Sequence, residues 1–471
     1  MSNLVYGVKD KPGLWKTIVL ALQQVLAILA ATIVVPVIIN GNMGLTGENA
    51  MSQSAALLGA GVGTIVYLLF TKFKSPVFLG SSFAFIGSMC AAFAGATCAA
   101  VGYIGLIIGA ILAGLVYVII ALVVKFAGVN WINKLMPASV IGPTVAVIGL
   151  SLSGNAVGDI VKGATFDAVN NVYVMNTTGA VSLVCGLVTL ATVIVCSVYG
   201  KKMAKIIPFI IGIGAGYAVA AIFTLIGTLA KVPELQIINF GLFTQMAWVP
   251  EFSFAKAFGA FGQEGAFANF GAYFASIAVA YVPVAFVVFA EHLADHKNIS
   301  SIIGTDLTKD PGLHRTLLGD GIGSMAGAFF GGCPNTTYGE SVGCVAISGN
   351  ASVVTIITAA IICIVAAFVA PFVTLLATIP SCVMGGVCFA LYGFIAVSGL
   401  KMIQKVDLNE NNNLFTVSVI LIAGVGGMAL GLGKVTLTAV ACALILGILV
   451  NLLGKIKAKK EAKEEAEEKA E

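Results

Sequence analysis

The amino-acid sequence predicts an all-α integral membrane protein of fourteen transmembrane segments, arranged as a seven-plus-seven inverted repeat. Three observations predict it. The 471-residue chain is 59% hydrophobic and only 10% charged, with a mean hydropathy of +1.03, whereas soluble domains carry about 25% charged residues. Apolar runs of about 20 residues, long enough to cross a bilayer as helix, recur from Trp15 to Leu453. Lysines gather at alternate ends of those runs.

The runs fall near 15–39, 53–71, 78–96, 101–125, 136–153, 180–199, 206–229, 269–292, 315–331, 336–349, 352–374, 380–400, 414–431 and 435–454. The first is too long for a signal-peptide core and has no small-x-small cleavage site behind it, so it is expected to remain as a span. The third and tenth are broken by Gly, Ser, Thr and Pro and are the least helical. Lys9, Lys11 and Lys16 precede the first span. Even-numbered spans are followed by Lys72 and Lys74, Lys125 and Lys134, Lys201, Lys202 and Lys205, Lys297, Lys309 and Arg315, Lys401 and Lys405, and Lys455 to Lys460. The opposite ends carry only Lys162, Lys231, Lys256 and Lys434. The positive-inside rule then puts both termini in the cytoplasm, and the expected location is the cell membrane.

Residues 154–179 read as an external loop. Residues 230–268, rich in Phe and Gly, read as a linker at or re-entering the outer surface. The tail 455–471 alternates charge and reads as a solvated helix or disordered segment. A net charge of +4 with no basic patch interleaved with aromatics gives nucleic-acid binding no support. The ten cysteines lie mostly within apolar runs, with no CxxC pair and no His at metal-ligand spacing, so neither disulfides, nor a metal, nor a cofactor are expected.

An internal repeat is faint but informative. Pro76-Val77-Phe78-Leu79-Gly80-Ser81-Ser82-Phe83-Ala84 in span three and Pro334-Asn335-Thr336-Thr337-Tyr338-Gly339 in span ten each give Pro, two hydroxyl residues, an aromatic and a small residue. The two spans lie seven apart, and an odd repeat length inverts topology. Interrupted segments at matching positions of inverted halves point to a transporter's central site.

The charges inside apolar runs agree. Glu340 is the only charged residue between Asp320 and Lys401, and the run Tyr281–Ala290 ends in Glu291-His292-Leu293-Ala294-Asp295-His296. A carboxylate at membrane depth costs about 2.5 kcal/mol or more unless protonated, paired or hydrated. Glu291 and Asp295, four apart, share a helix face. Carboxylates that close repel, so a proton can bind and leave between them, as cation coupling requires. Otherwise Asp295 belongs to a cytoplasmic loop with His296 and Lys297. His292 and His296 read as loop or helix-end residues, and His314 as a loop residue. Asp320 reads as a helix-end residue or a buried acceptor. Phe83 and Tyr338 offer flat faces for stacking, and half-helix starts offer free N–H groups. Such a cavity opposes anions and favours cations or neutral solutes with N–H donors; a planar, uncharged ring with two N–H and two C=O groups fits well.

At these residues the sequence resembles the nucleobase–ascorbate transporter family, in its bacterial uracil permease branch. The resemblance runs through Leu22-Gln23-Gln24, Leu79-Gly80-Ser81-Ser82-Phe83-Ala84-Phe85, Ala290-Glu291-His292, Asp310-Pro311-Gly312-Leu313-His314-Arg315 and Pro334-Asn335-Thr336-Thr337-Tyr338-Gly339-Glu340. It implies fourteen spans, with short β-strands in spans three and ten. It also implies a core domain (1–134 and 269–374) and a gate domain (135–229 and 375–454), joined by the linker 230–268 and followed by the tail 455–471. Glu291 and Glu340 would hydrogen-bond a uracil ring. Phe83, Tyr338 and Gly339 would line the site, and Ala31 would pack on the ring. The implied activity is uracil import by proton symport, with an elevator-like core moving against a homodimeric gate.

Two departures stand out. Ser341 and Ser348 replace the Asn and Thr of the family signature, and Asp295 stands where the uracil-permease type has His. Rival readings are the same fold carrying a purine such as xanthine or uric acid, and an anion transporter of the sulfate/bicarbonate superfamily. Glu340 and the absence of any Arg before residue 315 oppose the latter. No HExxH or GxSxG motif occurs, so an enzyme is not expected.

Overall fold

The computed structural model of the chain describes residues 4–128, 135–201, 203–432 and 435–468. Lys134, Lys202 and Lys434, and the expected boundary after residue 134, lie outside them. The principal helices are α1 (Leu14–Met43), α2 (Gln53–Phe70), α3 (Ile86–Ala94), α4 (Ala99–Ala127), α5 (Ala138–Ser151), α6 (Ser153–Ile160), α7 (Thr177–Tyr199), α8 (Pro208–Ala230), α9 (Ser253–Phe258), α10 (Phe270–Ile303), α11 (Leu313–Gly331), α12 (Gly339–Ser348), α13 (Val353–Ala366), α14 (Ala370–Ala377), α15 (Ser381–Ile403), α16 (Asn411–Val425) and α17 (Ala439–Glu468). Among the described residues nine helices are long and apolar enough to cross a membrane, or ten if the bent pair α13 and α14 counts as one. The remaining expected intervals hold shorter or more polar helix: 83–94, α11, α12 and α16.

The helices pack in two groups. One joins α1–α4 to α10–α13, and the other joins α5–α8 to α15–α17. Association inside a bilayer cannot rely on the hydrophobic effect, since lipid is as apolar as Leu; small residues that let backbones approach do the work instead. Gly319, Gly323, Gly327 and Gly331 recur every fourth residue along α11. A Cβ on Gly59 of α2 would sit 2.6 Å from the Gly327 carbonyl, and one on Gly331 would sit 2.6 Å from that of Ala55. This glycine seam draws α2 and α11 together and buries the polar side of α11.

At the centre, two broken segments cross. Strand β1 (Leu79–Ser81) pairs antiparallel with a second strand, Asn335–Thr337, in the register Leu79↔Thr337, Gly80↔Thr336 and Ser81↔Asn335. The pairing extends at both ends, with Ser82 N–H donating to Pro334 O at 2.9 Å and Tyr338 N–H to Phe78 O at 3.2 Å. No water competes for backbone groups at such depth, so each must find a partner in the protein. Each strand runs directly into a half-helix. One starts as a 3-10 turn at Phe83–Phe85 and continues into α3; the other is α12.

Several expectations are corrected. Span eight was expected to end at residue 292, but α10 continues to Ile303, so His292 and His296 are mid-helix and fully buried, not in a loop or at an end. They survive there because neighbouring helices supply hydrogen-bond partners. Asp320 lies within α11, 1% exposed, and is a buried acceptor rather than a helix-end residue. His314 lies in the first turn of α11 rather than in a loop. The expected single span 352–374 is bent by 82° between α13 and α14, where Pro371 enters at the first turn of the second piece. The expected loop 154–179 contains α6 and an antiparallel hairpin pairing Thr165–Asp167 with Val172–Val174. The tail 455–468 continues α17.

Candidate functional site

A cavity of about 370 Å³ lies where the crossing meets the second helix group. Phe83, Glu291, Asp295, Tyr338, Gly339 and Glu340 all line it, together with Ala84, Ala294, Asn298 and Thr336. The facing wall is apolar: Val145 and Ile148 of α5, Phe209 of α8, and Leu391, Phe394, Ile395 and Met402 of α15, relieved by Ser398. No Lys or Arg is among these residues. Ala31 is buried, 1% exposed, on α1; it is not among the lining residues, although α1 packs on both β1 and α12.

Local rules explain the arrangement. Glu291 and Asp295 face the cavity together because they are four apart on α10. Glu340 is the second residue of α12, in the first turn, where free N–H groups and the helix dipole favour negative charge. Tyr338 is oriented by its hydroxyl, which donates to Ser81 O at 2.8 Å. Its ring passes so close over Gly80 that no larger residue fits there. Phe83 touches Tyr392 of α15 edge-on, with ring centroids 6.1 Å apart, so the two helix groups meet beside the cavity. Asp295 accepts a hydrogen bond from the Thr337 hydroxyl at 2.8 Å and is 8% exposed; it is not a loop residue. Glu291 and Glu340 are half-buried, and among the described residues neither carboxylate is paired with another side chain, although that of Glu340 meets its own backbone N–H. The cavity therefore presents acceptors awaiting donors, beside aromatic faces and two half-helix N-termini.

Ser341 belongs to the support rather than the lining. It accepts from Gln24 Nε2 at 2.5 Å and from Phe78 N–H at 3.0 Å, tying α1 and the approach to β1 to the start of α12. Sequence reasoning did not single out Asn298, Ser398, Phe209 or Phe394. Asn298 was readable in principle, since it lies seven residues after Glu291 and so on the same helical face. The lining that comes from α5, α8 and α15 has no sequence signal that distinguishes it from lipid-facing surface.

Together these features define a multi-pass helical membrane protein with a carboxylate-bearing cavity between two helix groups. The chain belongs to the permease family, the nucleobase–ascorbate transporters, whose model matches residues 15–433. It is 38% identical to the uracil permease of Bacillus caldolyticus, covering 96% of this chain and 95% of that protein. It is 34% identical to the uracil permease of Escherichia coli K12, covering 95% and 93%. The putative pyrimidine permease RutG of Escherichia coli K12 is 32% identical, covering 93% and 89%. Among solved structures the fold is similar to the transmembrane domain of the cyanobacterial bicarbonate transporter BicA, with a TM-score of 0.56 at 18% identity over 92% of this chain and 96% of that one. It is also similar to the murine anion transporter Slc26a9, with a TM-score of 0.62 at 12% identity over 96% and 69%. At such identities the likeness concerns the fold alone.

Proposed function

We propose that the protein imports uracil by symport with protons. One observation carries the reading: Glu291 and Glu340, from separate segments, line a single cavity beside the rings of Phe83 and Tyr338. The names of the relatives supply the base. Uracil's ring N–H groups donate to the two carboxylates, and its C=O groups accept from the free N–H groups that open the half-helices. The Phe83 and Tyr338 rings and Gly339 bound the ring's faces, and Ala31 supports the crossing from behind. A cavity with no Lys or Arg among its described lining residues does not suit an anion, which argues against the transport of bicarbonate or sulfate.

Proton coupling falls to Glu291 and Asp295. Both face the cavity one helical turn apart, so the site can take up a proton with the base and lose it on the other side. The fourteen segments form two inverted halves of seven, crossing at β1 and its partner strand. The group α1–α4 with α10–α13 is the moving core, and α5–α8 with α15–α17 the fixed gate of a homodimer. The gate wall is smooth and apolar, so a core carrying the base slides past it without exchanging hydrogen bonds. The lining runs from Glu291 to Asn298 on α10 and from Leu391 to Met402 on α15, toward the helix ends that are followed by Lys309 and Lys405. With both termini cytoplasmic, this is the inward-facing state.

The test is ligand-dependent thermal stability of the purified protein. A ligand at 100 times its Kd stabilises the native state by about 2.7 kcal/mol, so uracil should raise the melting temperature while xanthine and uric acid do not. Competition of labelled uracil uptake by unlabelled bases makes the same distinction. No shift with any nucleobase would sink the reading, and a shift with xanthine alone would transfer it to purines.

A further inference from the structure

Behind the cavity, α10 carries a second polar group that the transport reading does not use. His292 and Asp320 are buried at 0% and 1% exposure, with Nδ1 and Oδ2 2.7 Å apart. His292 Nε2 lies 3.0 Å from Thr316 Oγ1. The Thr316 hydroxyl has one hydrogen, which it donates to Leu313 O at 3.0 Å. Toward His292 the hydroxyl oxygen is therefore the acceptor, and Nε2 carries a hydrogen. One further hydrogen must lie between Nδ1 and Oδ2, on the acid or on the ring. In either form the pair is net neutral and holds one proton more than a bare carboxylate beside a neutral imidazole.

The surroundings keep that proton in place. Asp320 of α11 and Thr316 hold the two ring nitrogens, and the His296 ring stacks on that of His292 at 3.9 Å. The Tyr117 ring of α4 meets it edge-on at 6.3 Å. His296 donates from Nδ1 to the His292 carbonyl, and its Nε2 lies 2.6 Å from the Tyr67 hydroxyl of α2. The other titratable groups facing this region, Glu291 and Asp295 of α10 and Glu340 of α12, belong to the cavity. Neither His292 nor Asp320 lines it.

We infer that His292 and Asp320 form a permanently neutral, proton-sharing brace between α10 and α11 that fixes the rotation of α10 and so aims Glu291 into the cavity. They are positioning residues, and the proton they share is not the transported one. The inference rests on the proposed role of Glu291 only for its effect on uptake; the protonation state is read separately.

The chain has three histidines, His292, His296 and His314, so ¹⁵N-histidine labelling gives few enough ring signals to assign with His292→Gln and His314→Gln. The expected spectrum of the full-length protein has a His292 Nε2–H signal whose shift is constant from pH 5 to 8. In uptake assays, Asp320→Asn, whose amide can still donate to Nδ1, should retain activity within threefold of the parent. Asp320→Leu, which cannot, should lose at least tenfold. A His292 signal that titrates between pH 5 and 8 would overturn the neutral pair. A folded Asp320→Asn protein as inactive as Glu291→Gln would overturn the positioning role. Full uptake by Glu291→Gln would remove the cavity reading and leave the spectrum to decide the brace.

Discussion

Two faces of α10 differ in how they treat polar groups. On the cavity face, Glu291 has no side-chain partner among the described residues, and Asp295 has one hydroxyl donor. On a second face, one residue further along, His292 has both ring nitrogens engaged, and so has His296. Successive helix positions differ by about 100°, so neighbours in sequence belong to separate chemistries. An unfilled acceptor at membrane depth is costly and persists where something else is meant to fill it; a filled one contributes rigidity.

The strongest way to break this comparison is to remove charge from the unfilled face. Glu291→Gln and Glu340→Gln should each weaken uracil binding by about 10- to 100-fold, since a hydrogen bond to a charged group is worth about 1.5–3 kcal/mol. Uracil accumulation should then be lost, while the melting temperature of the ligand-free protein is unchanged or raised. Normal accumulation by both variants would show that the cavity face is not the site. Next in size is Tyr67→Phe on the filled face. It strips His296 Nε2 and Ser75 of their shared hydroxyl partner and should cost about 1–3 kcal/mol of stability, with uracil affinity unchanged. A variant that loses affinity but not stability would erase the distinction between the faces. The smallest effects belong to Asp295, between the two extremes. Asp295→Asn should flatten the pH dependence of uptake more than it weakens binding. Thr337→Val, which removes one hydrogen bond worth about 1 kcal/mol, should do the same more mildly. A pH profile that neither variant changes would separate Asp295 from coupling.

The sequence made one face legible and hid the other. Glu291 and Glu340 stood out because a charge in an apolar run is an anomaly whatever the fold, and the broken segments around Phe83 and Tyr338 were marked by Pro, Ser and Thr. The His292–Asp320 pair did not stand out, because its members are 28 residues apart on different helices and each alone looks like a helix-end residue. One signal for it is present in the sequence: glycine at 319, 323, 327 and 331 marks α11 as a helix buried against protein, so an acid beside that seam must have a protein partner. The bend between α13 and α14 was hidden for a different reason. Its residues are uniformly apolar, and only Pro371 hints at a break. The apolar cavity wall was unreadable because burial against a neighbouring helix and immersion in lipid select the same side chains.

The clasp between Leu79–Ser81 and Asn335–Thr337 has a consequence for how the site tolerates change. Each half of the chain hands its partner the backbone on which a recognition helix is seated, so neither half can be tuned alone. A shift of one residue in either strand would turn every side chain on it to the other side, swinging Tyr338 off Gly80 and carrying Glu340 with it. Adaptation to a new solute is therefore easier on the smooth opposing wall, where a side chain can be exchanged without disturbing the knot.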